Sequence, residues 1–212
     1  LYAALITEER ILTWADGDWT PRLWNMKTGA CITFLKFMTI EGVTMLADNI
    51  VLLWDRQNVH LFDTNLAPCA TEFEKPAATI EGAKPLHNGN IFAWLSNNGL
   101  CIWEKNTGKI IAEMEGHSDE VAGALVLKDG RIGTWSKDKT VRLWDSYTFT
   151  CTVVLVGHTG SIEGLKELPN GQLLSWSANN EVRVWDTKTS SCLQVLQGHT
   201  GRINEEIIVL NN

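Results

Sequence analysis

A histidine, a threonine and an aspartate stand at His117, Thr134 and Asp138. These are the residue types of a nucleophilic triad: a hydroxyl to attack, an imidazole to take its proton, and a carboxylate to orient the imidazole. A working triad also needs an exposed nucleophile and oxyanion donors beside it. The chain instead repeats the set, with His158, Ser175 and Asn179 in the same spacing and Trp144 and Trp185 ten residues after each hydroxyl. A constellation that recurs with the period of the chain reads as part of what repeats rather than as one reaction centre.

Other chemical signatures are absent from the sequence. It has no GxSxG, no GxxxxGK[ST] and no HExxH, and no CxxC pair or Cys/His spacing for zinc. Three of the five histidines follow a glycine; His60 falls on a strand and His87 in the turn "LHNGN", neither with an evident partner. No catalytic residue, metal ligand or cofactor is assigned. An enzyme gathering residues from several repeats stays open as an alternative, and its mark would be a pocket holding a histidine or carboxylate outside the repeat register.

The elements that position these residues follow from tryptophan spacing. A first site recurs at Trp14, Trp54, Trp94, Trp135 and Trp176, and a second holds Trp24, Phe62, Trp103, Trp144 and Trp185. Nine of the ten tryptophans occupy these two sites, so the register is a property of the whole chain. Each unit reads as four short strands between turns: in the fifth, "SIEGLKEL", "QLLSWSA", "EVRVWD" and "CLQVLQ" are separated by "PNG", "NN" and "TKTSS". Four-stranded units of about 40 residues without helices are blades of a β-propeller. The expected fold is all-β, a β-propeller of four-stranded antiparallel blades, with repeats at about 1–36, 37–75, 76–115, 116–156 and 157–197 and an incomplete unit at 198–212.

Gly116-His117, Gly157-His158 and Gly198-His199, together with "RLWD" at 142–145 and "RVWD" at 183–186, resemble the WD-repeat β-propeller family. The likeness is strong in units four and five and faint in units two and three, which lack Gly-His and carry "HLFD" and "CIWE". The resemblance implies a buried hydrogen-bond network from histidine through hydroxyl and acid to the third-strand tryptophan: His117, Thr134, Asp138 and Trp144 in unit four, and His158, Ser175, Asn179 and Trp185 in unit five. Asn179 departs from the family's acid. Leu53 and Ala93 replace the hydroxyl in units two and three, so those blades are expected to be less firmly pinned.

The first-site tryptophans stand where the family usually has a small residue. Each follows the hydroxyl position, so it points to the opposite face of its blade. A buried tryptophan removes about 150–250 Å² from water, an upper bound of roughly 4–6 kcal/mol, and a packing ladder between blades is the simplest account. The alternative, a platform that stacks bases or sugars, needs exposure and positive charge. Trp19, in "ADGDWTPRLW", is outside the register and is read as a loop-tip residue, either an interaction anchor or folded back on its own blade.

A net charge of −7 opposes nucleic-acid binding, and no apolar run reaches the length of a membrane span. Without a signal-peptide pattern the expected location is cytoplasmic. Four of five cysteines (Cys31, Cys69, Cys151, Cys192) fall seven residues after the second-site aromatic, which suits buried free thiols better than disulfides. The chain opens on Leu1 and ends within the first strand of a sixth unit, "RINEEIIVL". The expectation is part of a larger ring, closed by further residues or by a second chain, against a compact five-bladed ring as rival.

The function this supports is a non-catalytic platform for protein partners, with a purely architectural segment as a further alternative. Candidate contacts are Asp119, Glu120, Ser161 and Arg202 beside the Gly-His sites, Arg56 and Lys137 in second-to-third-strand turns, and Trp19. A mixed-charge rim around an aromatic anchor is the anatomy of such a surface.

Overall fold

Short runs of β-branched and aromatic residues, broken by Gly, Asn and Asp, leave the backbone little choice but hairpins. The computed structural model of the chain describes residues 2–15, 18–35, 39–201 and 203, without the side chains of Asp18, Trp19 and Ala47. Among these, nineteen strands form five antiparallel sheets, and the only helical element is one 3-10 turn at Ala47–Asn49.

Sheet one runs β1 (Tyr2–Thr7), β2 (Arg10–Ala15), β3 (Asp18–Asn25), β4 (Cys31–Phe34). Sheet two has three strands, β5 (Gly42–Met45), β6 (Ile50–Trp54) and β7 (Val59–Asp63). Sheet three is β8 (Ile80–Pro85), β9 (Ile91–Leu95), β10 (Leu100–Trp103), β11 (Ile110–Met114). Sheet four is β12 (Val121–Val126), β13 (Ile132–Ser136), β14 (Thr140–Trp144), β15 (Cys151–Val156), and sheet five is β16 (Ile162–Glu167), β17 (Leu173–Ser177), β18 (Val182–Asp186), β19 (Ser191–Leu196). Consecutive strands pair in chain order, giving an all-β fold of blades consistent with a partial β-propeller. The extra strand expected at the C-terminus and Arg202 lie outside the described residues.

The second sheet corrects the expectation of four strands per unit. After Asp63 the chain makes one bridge, Phe62 to Pro68, and one bond from Cys69 N–H to Leu61 O, and then leaves the sheet. Pro68 has no N–H to continue a ladder. The segment instead ties to sheet three: Glu74 N–H donates to Gly108 O (2.8 Å), its carboxylate accepts Ile110 N–H (2.8 Å), and Phe73 meets Trp103 edge-on at 6.3 Å.

The turns are fixed by side chains that the sequence supplies on schedule. The β12–β13 and β16–β17 turns place Gly130 and Gly171 at φ +90° and +80°, where glycine avoids the strain of a side chain. At the exit of the third strand, Asp145 Oδ1 accepts Tyr147 and Thr148 N–H, and Asp186 Oδ1 does the same for Lys188 and Thr189. The aspartate after each tryptophan is therefore a turn-former.

The chain divides into two compact units, Leu1–Leu95 with Cys101–Glu113, and Ser96–Leu100 with Met114–Asn212. In the first, Leu12, Leu23, Val51, Leu53 and Phe62 form one apolar cluster, and Leu52, Val59, Ile80, Ile91, Ala93 and Trp103 another. In the second, Val141, Leu143 and Leu155 of sheet four pack with Ile162, Leu165, Leu173 and Trp185 of sheet five. Leu196 holds in sheet five the register that Leu155 holds in sheet four, yet it is 47% exposed against 1%.

Candidate functional site

In sheet four the triad-like residues meet. His117, placed by the turn into β12, has Nε2 at 2.8 Å from Thr134 Oγ1 on β13 and Nδ1 at 2.8 Å from Asp138 Oδ2 in the β13–β14 turn. The carboxylate can only accept, so Nδ1 carries the proton and Nε2 accepts from the threonine. Thr134 Oγ1 in turn accepts the Trp144 indole N–H at 2.9 Å. Asp138 also accepts Thr140 Oγ1–H at 2.7 Å and Ser118 N–H at 3.1 Å.

Topologically this is hydroxyl, imidazole and acid in catalytic order, but Thr134 is fully buried and its lone pair is engaged by Trp144. The side chains of His117 and Asp138 are 0% and 4% exposed. No substrate reaches a hydroxyl so enclosed. Burial is the main influence on His117 and holds its pKa below the ordinary value, against the pull of Asp138. Burial also raises Asp138, but hydrogen bonds from Thr140 and His117 outweigh it and the acid titrates low. The imidazole is neutral and the carboxylate charged.

Sheet five repeats the core of this arrangement with another acid. His158 Nε2 is 2.6 Å from Ser175 Oγ, which accepts the Trp185 indole N–H at 2.8 Å. Asn179, aligned with Asp138, does not join them: it binds Ser177 and Thr159. The inclusion of Asn179 in the histidine's network is therefore corrected. Glu181, two residues on, brings Oε1 to 3.1 Å from His158 Nδ1, close but not aligned for a hydrogen bond. The same oxygen accepts Arg183 Nε–H and Oε2 accepts the Gln197 amide. Burial, with Arg183 adding to it and Glu181 opposing, pulls His158 down to about 4. Glu181 stands at the end of the β17–β18 turn directly before β18, so a carboxylate two residues past the aligned position is the signal that could have found it.

The remaining units satisfy their second-site aromatic differently. Sheet one has the Trp24 indole bonded to Thr13 Oγ1 at 2.8 Å. In sheet three, Ala93 offers no hydroxyl, and the Trp103 indole donates to the backbone carbonyl of Glu74 at 2.8 Å. Sheet two has Phe62, which needs no acceptor, beside fully buried Leu53. A backbone carbonyl carries no residue-type signature, so Glu74 could not be read from the sequence.

The first-site tryptophans have a partner that sequence reasoning missed. Trp54, Trp94, Trp135 and Trp176 lie cross-strand from Gly42, Gly82, Gly123 and Gly164. A Cβ at those glycines would fall 1.9–2.3 Å from the indole Cζ2. Each ring thus lies flat over its own sheet's first strand. Trp14 has Tyr2 opposite and stacks on it at 5.7 Å. Trp14, Trp54 and Trp135 also pack on apolar clusters that join their sheet to the next in the same unit. The indole N–H groups of Trp54, Trp135 and Trp176 are buried without an acceptor.

Among the exposed candidates, Lys137 and Glu120 pair with each other at 2.6 Å and Asp119 Oδ1 accepts Glu120 N–H. Arg56 pairs with Glu41 at 3.0 Å. Ser161 is half-buried and its carbonyl accepts Ala178 N–H. Trp19 lies inside β3, one residue past its start, not at a loop tip, because Ala15 of β2 and Asp18 of β3 already pair. His60, read as unpartnered, has Nε2 3.5 Å from Asp55 Oδ2. Asp55 is held at about 2: burial raises it, but His60, Gln57 and Asn58 more than compensate.

All five cysteines are free; of these only Cys101 is buried, with Cys31 exposed and Cys69, Cys151 and Cys192 half-buried. This corrects the expectation of buried thiols at the repeat position, which lies on or near the outer strand. Among the described residues no group of three His, Cys, Asp or Glu could hold a metal ion.

The sequence profile described as "WD domain, G-beta repeat" matches residues 108–145 and 149–186. The matches run from β11 through β14 and from near the start of β15 through β18, ending on the two turn-forming aspartates. No curated protein matches the chain.

Proposed function

We propose that this chain, in which the WD-repeat model matches residues 108–145 and 149–186, is a non-catalytic platform that holds protein partners. WD repeats generally mediate protein–protein interaction or scaffolding, and proteins built from them are typically non-catalytic. The observation that carries this reading is the burial of both histidine sets: each hydroxyl accepts a tryptophan indole, so this catalysis-like geometry serves to pin strands. What faces solvent is a set of short turns held by their own hydrogen bonds.

The candidate rim is Asp119, Glu120, Lys137, Ser161, Arg202 and Arg56, with Trp19 as anchor. Opposed by a net charge of −7, nucleic acid is not among the partners, nor is a membrane; among the described residues no helix is long and apolar enough to cross one. Five unpaired thiols support a cytoplasmic, reducing location.

Affinity capture from cell extract with the wild-type chain and with Trp19→Ala tests the reading. A specific protein set that shrinks in the variant is the expected result. Capture of no specific protein overturns the platform; an unchanged set removes Trp19 as its anchor.

A further inference from the structure

Among the described residues four of the five sheets end on a fourth strand, and sheet two ends on β7. The bond from Asp55 N–H to Asn58 O at the β6–β7 turn fixes which way the backbone of β7 faces. Asn58, His60 and Phe62 turn their groups to β6, and Val59, Leu61 and Asp63 turn theirs outward. Asp63 uses both of its groups locally, with N–H to Ala67 O and O from Leu66 N–H, and Leu61 O accepts Cys69 N–H. The N–H and carbonyl of Val59 and the N–H of Leu61 have no partner among the described residues. Both residues are 4% exposed, so bulk water hardly reaches these groups. Buried backbone groups in this condition are rare in folded proteins.

We propose that this edge binds an extended peptide segment of a partner protein, which becomes the fourth strand of sheet two, antiparallel to β7 and bonded to Val59 and Leu61. The proposal rests on the reading of the chain as a platform for protein partners and names one surface and one kind of ligand for it.

The molecule itself shows what fits such an edge. Val59 and Leu61 stand three and one residues before Phe62, as Val141 and Leu143 stand before Trp144, and Val182 and Val184 before Trp185. Val141 and Leu143 pair with Leu155 and Val153, and Val182 and Val184 with Leu196 and Gln194, each time on an antiparallel strand. By the same count Thr71 and Phe73 belong opposite Leu61 and Val59. Phe73 instead meets Trp103, while Glu74 bonds to Gly108 and Ile110. The chain's own fourth strand is thus committed to sheet three, and the edge is left to a strand from elsewhere.

Space lies where that strand would end. In sheet five β19 ends at Leu196, and Gln197 follows it beside Glu181, the equivalent of Asn58. In sheet two a cleft of about 340 Å³, lined by Gln57 and residues 75–79, opens next to Asn58. The segment from 70 to 79 forms no ladder with β7; it is tied beside it by Cys69 N–H to Leu61 O and by Ile80 N–H to Arg56 O. Cys69, Phe73 and Ala78 pack on the apolar cluster that holds Val59, so this irregular segment must shift for a strand to enter, but no sheet has to be broken. Main-chain pairing supplies the affinity and asks for an extended ligand. An apolar residue is selected opposite Val59, as Leu155 is in sheet four.

A labelled synthetic peptide copying β15, residues 151–156 with Cys151→Ser, is the probe. Fluorescence anisotropy should show saturable binding, and the bound chain should show slower amide exchange at Val59 and Leu61. N-methylation of the peptide at Val153 and Leu155 removes the N–H groups that face β7 and should weaken binding about tenfold or more. Methylation at Thr152 and Val154, which face away, should leave it within about twofold. No saturable binding, equal losses from the two methylated peptides, or new protection only at other amides would each overturn the proposal. So would a free chain whose Val59 and Leu61 amides are as protected as those of Val141 and Leu143, because the edge would then already be filled. A chain that ignores the peptide yet captures specific proteins sinks the edge alone; a chain that binds the peptide yet captures no protein sinks the platform instead.

Discussion

Thr134 and Ser175 each serve two partners at once, and that sets the cost of losing them. Thr134→Val keeps the volume but strands the buried His117 Nε2 and the Trp144 indole, so a loss of about 2–3 kcal/mol in urea unfolding is expected. A loss below that of an ordinary surface substitution would mean that the network does not pin the blade. In sheet five the acid is Glu181, so Glu181→Ala should lower the melting temperature more than Asn179→Ala. The reverse order would restore the alignment-based reading. Proton linkage gives a third expectation. His158 has a folded pKa of about 4, below its model-peptide value of 6.5, so between these values the unfolded chain binds more protons. Stability is full above pH 6.5 and falls as pH drops toward 4, by on the order of 3 kcal/mol at most. His158→Gln should flatten that slope in unfolding curves taken from pH 7.5 to 4; an unchanged slope assigns the titration elsewhere. The hydroxyls and histidines were legible because side-chain type and spacing repeat together. Glu181 was not, because two residues of displacement around a turn keep the geometry and break the alignment.

Individual sheets show how one residue's size dictates its neighbour. Trp176 lies over Gly164, and a methyl there would fall 1.9 Å from its Cζ2. Gly164→Ala is therefore expected to cost about 2 kcal/mol or more, and adding Trp176→Leu should recover part of it in a double-mutant cycle. Strict additivity would show that the pair does not interact. The tryptophan spacing was readable, whereas its glycine partner was hidden by distance in sequence: residues 12 apart become neighbours only when the hairpin register is set. The segment after Asp63 is the clearer departure. Its repeat position predicted a fourth strand, but Pro68 interrupts the ladder and Trp103, lacking a hydroxyl at Ala93, takes the Glu74 carbonyl. Gly108, at φ +70°, sits where a Cβ would be 1.9 Å from Glu72 O. Gly108→Ala should release this strap, seen as faster amide exchange at Ile110, whose N–H bonds Glu74. Unchanged protection at Ile110 would show that the strap does not depend on that close approach.

For the molecule as a whole, repetition and composition were enough to define the fold class. Two sites per unit, nine tryptophans and turn residues between them required antiparallel blades, because period-2 apolar alternation in short runs can bury its surface only as sheets. The cysteines show the limit of the same method: their spacing marked a repeat position but not its depth. With all five free, a thiol count under denaturing, non-reducing conditions should give five, and in the native state Cys101 should react last, since burial raises its thiol pKa and closes access. A count of three would reveal a disulfide and contradict the structure. Sequence by itself thus determined the blades, the strand order and the identity of the histidine, hydroxyl and tryptophan pins, all of which are local or periodic. Tertiary structure alone decided which acid faces His158 and that a backbone carbonyl replaces a hydroxyl at Trp103. Those depend on atoms from separate turns meeting in space, where hydrogen-bond geometry, rather than residue order, selects the partner.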